Sequence, residues 1–150
     1  MSCCQRNAGM DPGLYSNLDS KYNQLQEIYP GTSFACVLTP SGDRLWKKPE
    51  EGPCGSERLI LNIAQLKRAS TDFASTLQQV DCNIIHVTGE THIVSCVNIG
   101  ANLLAFITDM DADELRSFDV PGADSKLKEL ITDVNLLLQG IVPISSLTTT

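Results

Sequence analysis

Three apolar segments between residues 82 and 108 follow one another with only short turns between them. They are rich in β-branched residues, and turn-forming residues separate them at 89–91 and 98–101. A parallel return between strands needs about a dozen residues or more, so turns this short permit only antiparallel neighbours. We therefore expect an antiparallel meander of three strands at 82–88, 92–97 and 102–108.

Two shorter strand patterns come earlier in the chain. Residues 32–38 are apolar and β-branched, residues 40–43 are typical of a turn, and 44–46 can return as a second strand. We expect a hairpin here, followed by a loop at 47–55, because that stretch combines charge with proline and glycine. Trp46 ends the second strand, which favours a core position over an interface position.

Apolar residues recur at helical spacing in three stretches, which predicts helices at 12–29, 56–79 and 127–139. Asp11 can cap the first helix, and Gly140 can end the last. The apolar stripe of the second helix is expected to face the sheet and consists of Leu59, Ile63, Leu66, Phe73 and Leu77. On this basis Phe73→Ala should leave a core cavity and cost about 3 to 5 kcal/mol.

The predicted order of elements is helix, two strands, helix, three strands, helix, or α-β-β-α-β-β-β-α. This order indicates an α+β fold in which one five-stranded antiparallel sheet is sandwiched by helices. Residues 109–123 are expected to form an acidic connection without a helix, because proline and glycine interrupt it. One domain should span 12–140, between a flexible N-terminus at 1–11 and a tail at 141–150.

The charge and apolar content of the chain limit the classes of partner. A net charge of −7 argues against nucleic-acid binding, which needs clustered Lys and Arg, and so favours protein partners. The longest apolar run is about half of the roughly 20 residues that span a bilayer, and the N-terminus lacks a secretory signal pattern. We therefore expect a cytoplasmic protein without a membrane span.

The cysteines are expected to be reduced thiols rather than a disulfide framework. Cys36, Cys82 and Cys96 fall in strand patterns and should be small buried apolar residues. Cys3 and Cys4 are adjacent near the N-terminus; unmodified thiols are expected there, and reversible acylation is the alternative.

No stretch of the chain has the spacing of a catalytic, metal or cofactor site. Cys82 and His86 lie four residues apart on a strand, about 13 Å, too far to share a zinc ion, and the following turn puts His92 on the opposite sheet face. The acidic run that begins at Asp109 resembles a calcium loop but has Glu114 where glycine is needed. Since no nucleophile elbow or phosphate loop is present either, we expect no catalytic residue, metal or cofactor.

The element order and three local segments resemble the roadblock family of small modules, which includes the dynein light chain roadblock and Ragulator-type scaffolds. Residues 34–45, FACVLTPSGDRL, resemble the first hairpin of that family, and 93–97 and 103–108 resemble its fourth and fifth strands. The resemblance covers roughly residues 12–139. Two departures are the long segment at 110–123 and the loop at 47–55.

The resemblance implies dimerisation through the second helix and through edge-to-edge pairing of the third strand. The implied interface comprises Asn83, Ile84, Ile85, His86 and Val87 of the strand with Ile60, Ala64 and Lys67 of the helix. The strand supports this by itself, because an apolar edge strand without Lys or Pro associates unless a partner covers it. The helix adds small residues that permit close approach, and Lys67→Glu should perturb partner binding and leave the monomer folded.

Members of the family act as noncatalytic platforms, so the resemblance implies a scaffold or adaptor that pairs with itself or another roadblock-like subunit. It would organise a small GTPase complex, peripherally at endosomal or lysosomal membranes. A dynein-associated light chain or a GTPase-regulating dimer is the alternative within the family. Two alternatives lie outside the family. One is a longin- or profilin-like trafficking adaptor, although a longin chain opens with strands. The other is a small enzyme built on the acidic segment and the histidines.

Overall fold

The computed structural model describes residues 12–39, 41–49, 56–77 and 83–139. The helices are α1 (Pro12–Ile28), α2 (Ser56–Thr76), α3 (Ala112–Ser117) and α4 (Val120–Leu138). The strands are β1 (Thr32–Leu38), β2 (Arg44–Lys48), β3 (Ile84–Thr88), β4 (His92–Ile99) and β5 (Asn102–Asp109). The predicted N-terminus at 1–11, the tail at 141–150, Cys3, Cys4 and Cys82 lie outside the described residues, so the domain limits stay a prediction.

The five strands form one antiparallel sheet in the order β2-β1-β5-β4-β3. The predicted α+β fold, the hairpin and the three-stranded meander are therefore confirmed. β5 lies at the centre between β1 and β4, and β3 forms one edge of the sheet.

The two faces of the sheet carry different helices. The face covered by α1 and α4 holds the larger cluster of buried side chains, which includes Leu18, Leu25, Tyr29, Val37, Trp46, Phe106, Leu127 and Val134. The other face packs a smaller cluster against α2, formed by Phe34, Cys36, Leu38, Ile63, Cys96, Leu103 and Ala105. Trp46 is only 2% exposed, which confirms its predicted core position.

One ion pair and one turn hold α1 in place beside the sheet. The ammonium of Lys21 is almost buried and lies 3.4 Å from Asp133 Oδ2 on α4. After α1, Gly31 has φ +96°, and a Cβ there would lie 2.6 Å from the carbonyl oxygen of Asp109. Glycine is therefore required where the chain turns from α1 into the central part of the sheet.

The prediction of a connection without a helix at 109–123 was wrong. Asp111 caps α3 by accepting a hydrogen bond from the Glu114 amide at 2.8 Å, and the Glu114 side chain completes the capping box. α4 then begins at Val120 rather than at Leu127, with Asp119 accepting from the Gly122 amide at 3.1 Å. Pro121 is compatible with this helix because first-turn amides have no partner within the helix.

Two other expectations were wrong at the borders between strand, loop and helix. β2 continues to Lys48, and Lys47, expected in a loop, is 0% exposed. Of the predicted α2 stripe, Ile63 is buried, but Phe73 is 67% and Leu77 is 55% exposed. Ala74, predicted to lie off the stripe, is buried instead, so the last turns of α2 are rotated relative to the predicted orientation.

Candidate protein-interaction site

The β3 strand presents one side of its backbone to the edge of the sheet. Asn98 donates to the Asn83 carbonyl at 3.0 Å, and Gly89 donates to the His92 carbonyl at 2.7 Å, in register with the β3–β4 pairing. In an antiparallel ladder such hydrogen-bonded pairs occur at every second residue. The amides and carbonyls of Ile84, His86 and Thr88 therefore point away from β4, where none of the described strands pairs with them.

The side chains of β3 alternate between the two faces of the sheet. Ile85 lies opposite Cys96 in the cluster beneath α2, and Val87, which shares this face, is 45% exposed. Asn83 precedes the strand and is exposed. The predicted strand residues of the interface thus lie at an edge that combines outward-facing backbone groups with apolar side chains.

The predicted helix residues of the interface lie on the same side of the sheet. Ala64 and Lys67 are partly exposed and line a groove of about 340 Å³ between α2 and the β4–β5 turn. The ammonium of Lys67 donates to Thr71 Oγ1 at 3.0 Å and also lies near Cys96. Ile60 belongs to α2, but its side chain lies outside what the structure describes.

Exposed apolar side chains lie on α2 and directly after its end. Leu61, Phe73 and Leu77 are each more than half exposed, and with Val87 they are the large exposed apolar residues of the described chain. Phe73 and Leu77 are four residues apart and therefore project from the same side, and a contiguous exposed apolar patch is typical of a site that binds another protein. The periodicity of the sequence assigned Phe73 and Leu77 to the core, and so missed them as interface candidates.

On the opposite face, the side chain of His86 joins β3 to the helices. Its Nδ1 lies 2.7 Å from Ser95 Oγ, and its Nε2 lies 3.0 Å from Asp124 Oδ1. Tyr29, at the end of α1, donates its hydroxyl to the same Asp124 carboxylate. We call these four residues, Tyr29, His86, Ser95 and Asp124, the β3 clamp. Their separation in sequence gives no local motif, and only Ser95 could be found from the strand register.

The serine, histidine and aspartate of the β3 clamp resemble a catalytic triad in their connectivity but lack access to a substrate. Ser95 and Tyr29 are 0% and 1% exposed, so the serine oxygen faces the protein interior. Burial raises the pKa of Tyr29, and hydrogen bonding to the Asp124 carboxylate raises it further. The Tyr29 hydroxyl therefore stays protonated and donates, so the cluster can stabilise structure but is not placed for nucleophilic attack.

His92 contrasts with His86. Its side chain points to the opposite face of the sheet, as predicted, and its Nε2 lies 3.1 Å from Asp109 Oδ1. Both partners of this pair are about half exposed, so the contact is weak. Within the described residues, no group of three or more His, Cys, Asp or Glu side chains is arranged to hold a metal ion.

Cys36 and Cys96 are buried free thiols, as predicted, and the structure places them on the face beneath α2. Burial raises the pKa of Cys36 to about 12. Burial also raises the pKa of Cys96 to about 11, although the nearby Lys67 ammonium opposes the rise. Neither thiol is poised as a nucleophile or metal ligand.

Of the helices that the structure describes, none has the length and apolar character needed to cross a bilayer.

Comparison with known proteins gives matches in structure alone. No protein-family model and no curated protein sequence matches the chain. The gliding protein MglB from Thermus thermophilus is similar at a TM-score of 0.69 and 14% identity, over 87% of this chain and 95% of that one. MglB in a tetrameric arrangement matches at 0.70 and 14% identity, over 87% and 94% of the two chains.

A third similar structure carries the name of the fold. The Roadblock/LC7 domain from Streptomyces avermitilis matches at a TM-score of 0.63 and 15% identity, over 78% of this chain and 93% of that one. The likeness extends over most of each chain. The chain therefore has the roadblock fold.

Proposed function

We propose that this protein is a noncatalytic scaffold subunit that pairs through β3, with itself or with another roadblock-like subunit, and organises a small GTPase complex. The observation that carries the proposal is the edge of β3, where the backbone groups of Ile84, His86 and Thr88 face outward. Natural proteins usually protect such an edge with Lys, Pro or a bulge, or cover it with another chain. β3 contains neither Lys nor Pro.

Pairing of two β3 strands would satisfy these outward groups and join two five-stranded sheets into one of ten strands. The exposed Val87 would lie at the seam, beside the β3 strand of the partner. Phe73 of α2 and Leu77, directly after α2, would add apolar area to the contact, since each exposes more than half of its surface to water. The tetrameric arrangement of the similar MglB supports self-association as the first possibility to test.

The GTPase part of the proposal rests on the resemblance to the roadblock family. A shared fold gives no chemistry by itself. The site, however, offers a protein surface, and the serine hydroxyl of the β3 clamp is buried, which favours a binding role over catalysis. Action at endosomal or lysosomal membranes would then be peripheral and would depend on partner subunits.

The test compares the purified wild-type chain with Val87→Lys by sedimentation equilibrium and by binding to a panel of purified small GTPases in GDP-bound and GTP-bound form. Val87 is exposed, so a lysine there should protect the edge without disturbing the core. We expect the wild type to be dimeric at tens of micromolar, alone or with a roadblock-like subunit, and to bind at least one GTPase. We expect the variant to be monomeric.

Arg116→Ala is the matched control, because it removes a charge from the exposed helix α3 and leaves the β3 edge unchanged. A monomeric wild type that binds no GTPase would contradict the proposal. Measuring GTP hydrolysis in the same mixtures separates a passive scaffold, which leaves the rate unchanged, from a GTPase-regulating dimer.

A further inference from the structure

The attachment of β3 to the rest of the molecule depends on few side chains. The strand is five residues long and pairs with β4 alone among the described strands. Ile84, Ile85 and His86 are only partly buried, and Val87 and Thr88 are exposed. A strand with this little buried surface gains only part of its order from pairing with β4 and from the packing of Ile84 and Ile85, so a specific side-chain contact adds to it.

His86 supplies such a contact. Asp124 Oδ1 and Oδ2 lie 3.0 and 3.2 Å from His86 Nε2, and Ser95 Oγ lies 2.7 Å from Nδ1. The geometry fits the tautomer in which Nε2–H donates to the carboxylate and Nδ1 accepts from the serine hydroxyl. Each ring nitrogen then has a partner on a different element, α4 on one side and β4 on the other.

The same residue also carries outward-facing backbone groups. His86 is the central one of the three residues whose amide and carbonyl point away from β4. Its side chain is fixed from behind by α4, while its backbone forms the middle of the free edge. Holding the backbone in the extended form before a partner arrives removes part of the ordering cost of binding.

We infer that the β3 clamp is a positioning device for the interface, through which α4 fixes the backbone of His86 in the geometry that edge pairing requires. This inference rests on the proposed pairing through β3. Asp124 lies on the face covered by α1 and α4, away from the edge. The inference nevertheless assigns this residue a role in the strength of association.

The chain offers a matched control for each half of the clamp. Asp133 is another carboxylate of α4, but it contacts Lys21 of α1 instead of β3. His92 is a second histidine paired with an aspartate, but its pair is exposed and lies on the other face. Asp133→Ala should therefore affect stability without affecting the edge, and His92→Ala should affect neither.

The experiment measures the dimer dissociation constant and the free energy of unfolding for the wild type, His86→Ala, Asp124→Ala, the double variant and the two controls. We expect His86→Ala and Asp124→Ala each to weaken association by at least about fivefold, and the controls to stay within about twofold of the wild type. We expect the dissociation constant of the double variant to be no larger than the larger of the two single-variant values, because the two side chains act as a unit.

Val87→Lys, measured alongside, separates failure of this inference from failure of the proposed pairing. If Val87→Lys dissociates the dimer while His86→Ala and Asp124→Ala associate like the wild type, pairing stands and the positioning role is overturned. Equal weakening by Asp133→Ala also overturns it, because the effect would then follow global stability. If Val87→Lys leaves association unchanged or the wild type is a monomer, edge pairing is wrong and the inference falls with it.

Discussion

Phe73 and Ala74 are neighbours on α2, yet the phenylalanine is 67% exposed and the alanine is 9% exposed. Successive residues of a helix point about 100° apart, so the small side chain faces the protein and the aromatic ring faces water. An exposed phenylalanine contributes little to folding. With Leu77, four residues further on, the ring forms an exposed apolar patch of the kind found at protein–protein contacts.

Phe73→Ala should therefore change the free energy of unfolding by no more than about 0.5 kcal/mol, because the ring makes no core cavity when it is removed. Ile63→Ala on the same helix should cost about 2 to 5 kcal/mol, because Ile63 is buried in the cluster beneath the helix. Urea denaturation of the two variants measures the difference. A loss of about 3 kcal/mol or more at Phe73, as the helical periodicity suggested, would show that the ring is buried after all.

Removing one partner of the ion pair between α1 and α4 should lower the free energy of unfolding more than removing the other. Asp133→Ala leaves the almost buried Lys21 ammonium without its carboxylate, and should destabilise the fold by about 2 to 3 kcal/mol. Lys21→Met keeps the apolar stem and leaves a carboxylate that is about one-third exposed and can be hydrated, so it should cost less than about 1 kcal/mol. Chemical denaturation gives both values, and the opposite ranking would contradict the burial of Lys21.

Cys36 and Cys96 should resist alkylation in the native protein. Burial raises the pKa of the two thiols to about 12 and about 11, so at pH 8 at most about one in a thousand would be thiolate even if reagent reached them. Iodoacetamide treatment at pH 8 followed by peptide mass spectrometry should find both cysteines unmodified until denaturant is added. Labelling within minutes without denaturant would mean that the face beneath α2 opens readily.

The sheet could be predicted from the sequence because its signals are local. Short turns after Thr88 and Ile99 require antiparallel neighbours, and the apolar residues around Ile84 indicate an unprotected strand. α3 also has a local signal, since Asp111 and Glu114 have the spacing of a capping box, but the alternating acidic residues that contain it are equally typical of a calcium loop.

Other features depend on tertiary contacts that a pattern cannot specify. Periodicity placed Phe73 and Ile63 on one stripe, whereas the packing of α2 against the sheet buries only the second. Tyr29 and Asp124 are distant from His86 in sequence and meet it only when both helices pack on the same face of the sheet. The β3 clamp could therefore be identified only from the structure.

Hydrogen exchange of the β3 amides, followed by NMR in the wild type and in Val87→Lys, tests the pairing of this edge most directly. The amides of Ile85 and Val87 bond to β4 and should be protected in both proteins, which makes them internal controls. The amides of Ile84, His86 and Thr88 should be protected in the wild type and should exchange rapidly in the variant. Rapid exchange of these three amides in the wild type at tens of micromolar, alone and with its subunit partners, would contradict pairing through β3.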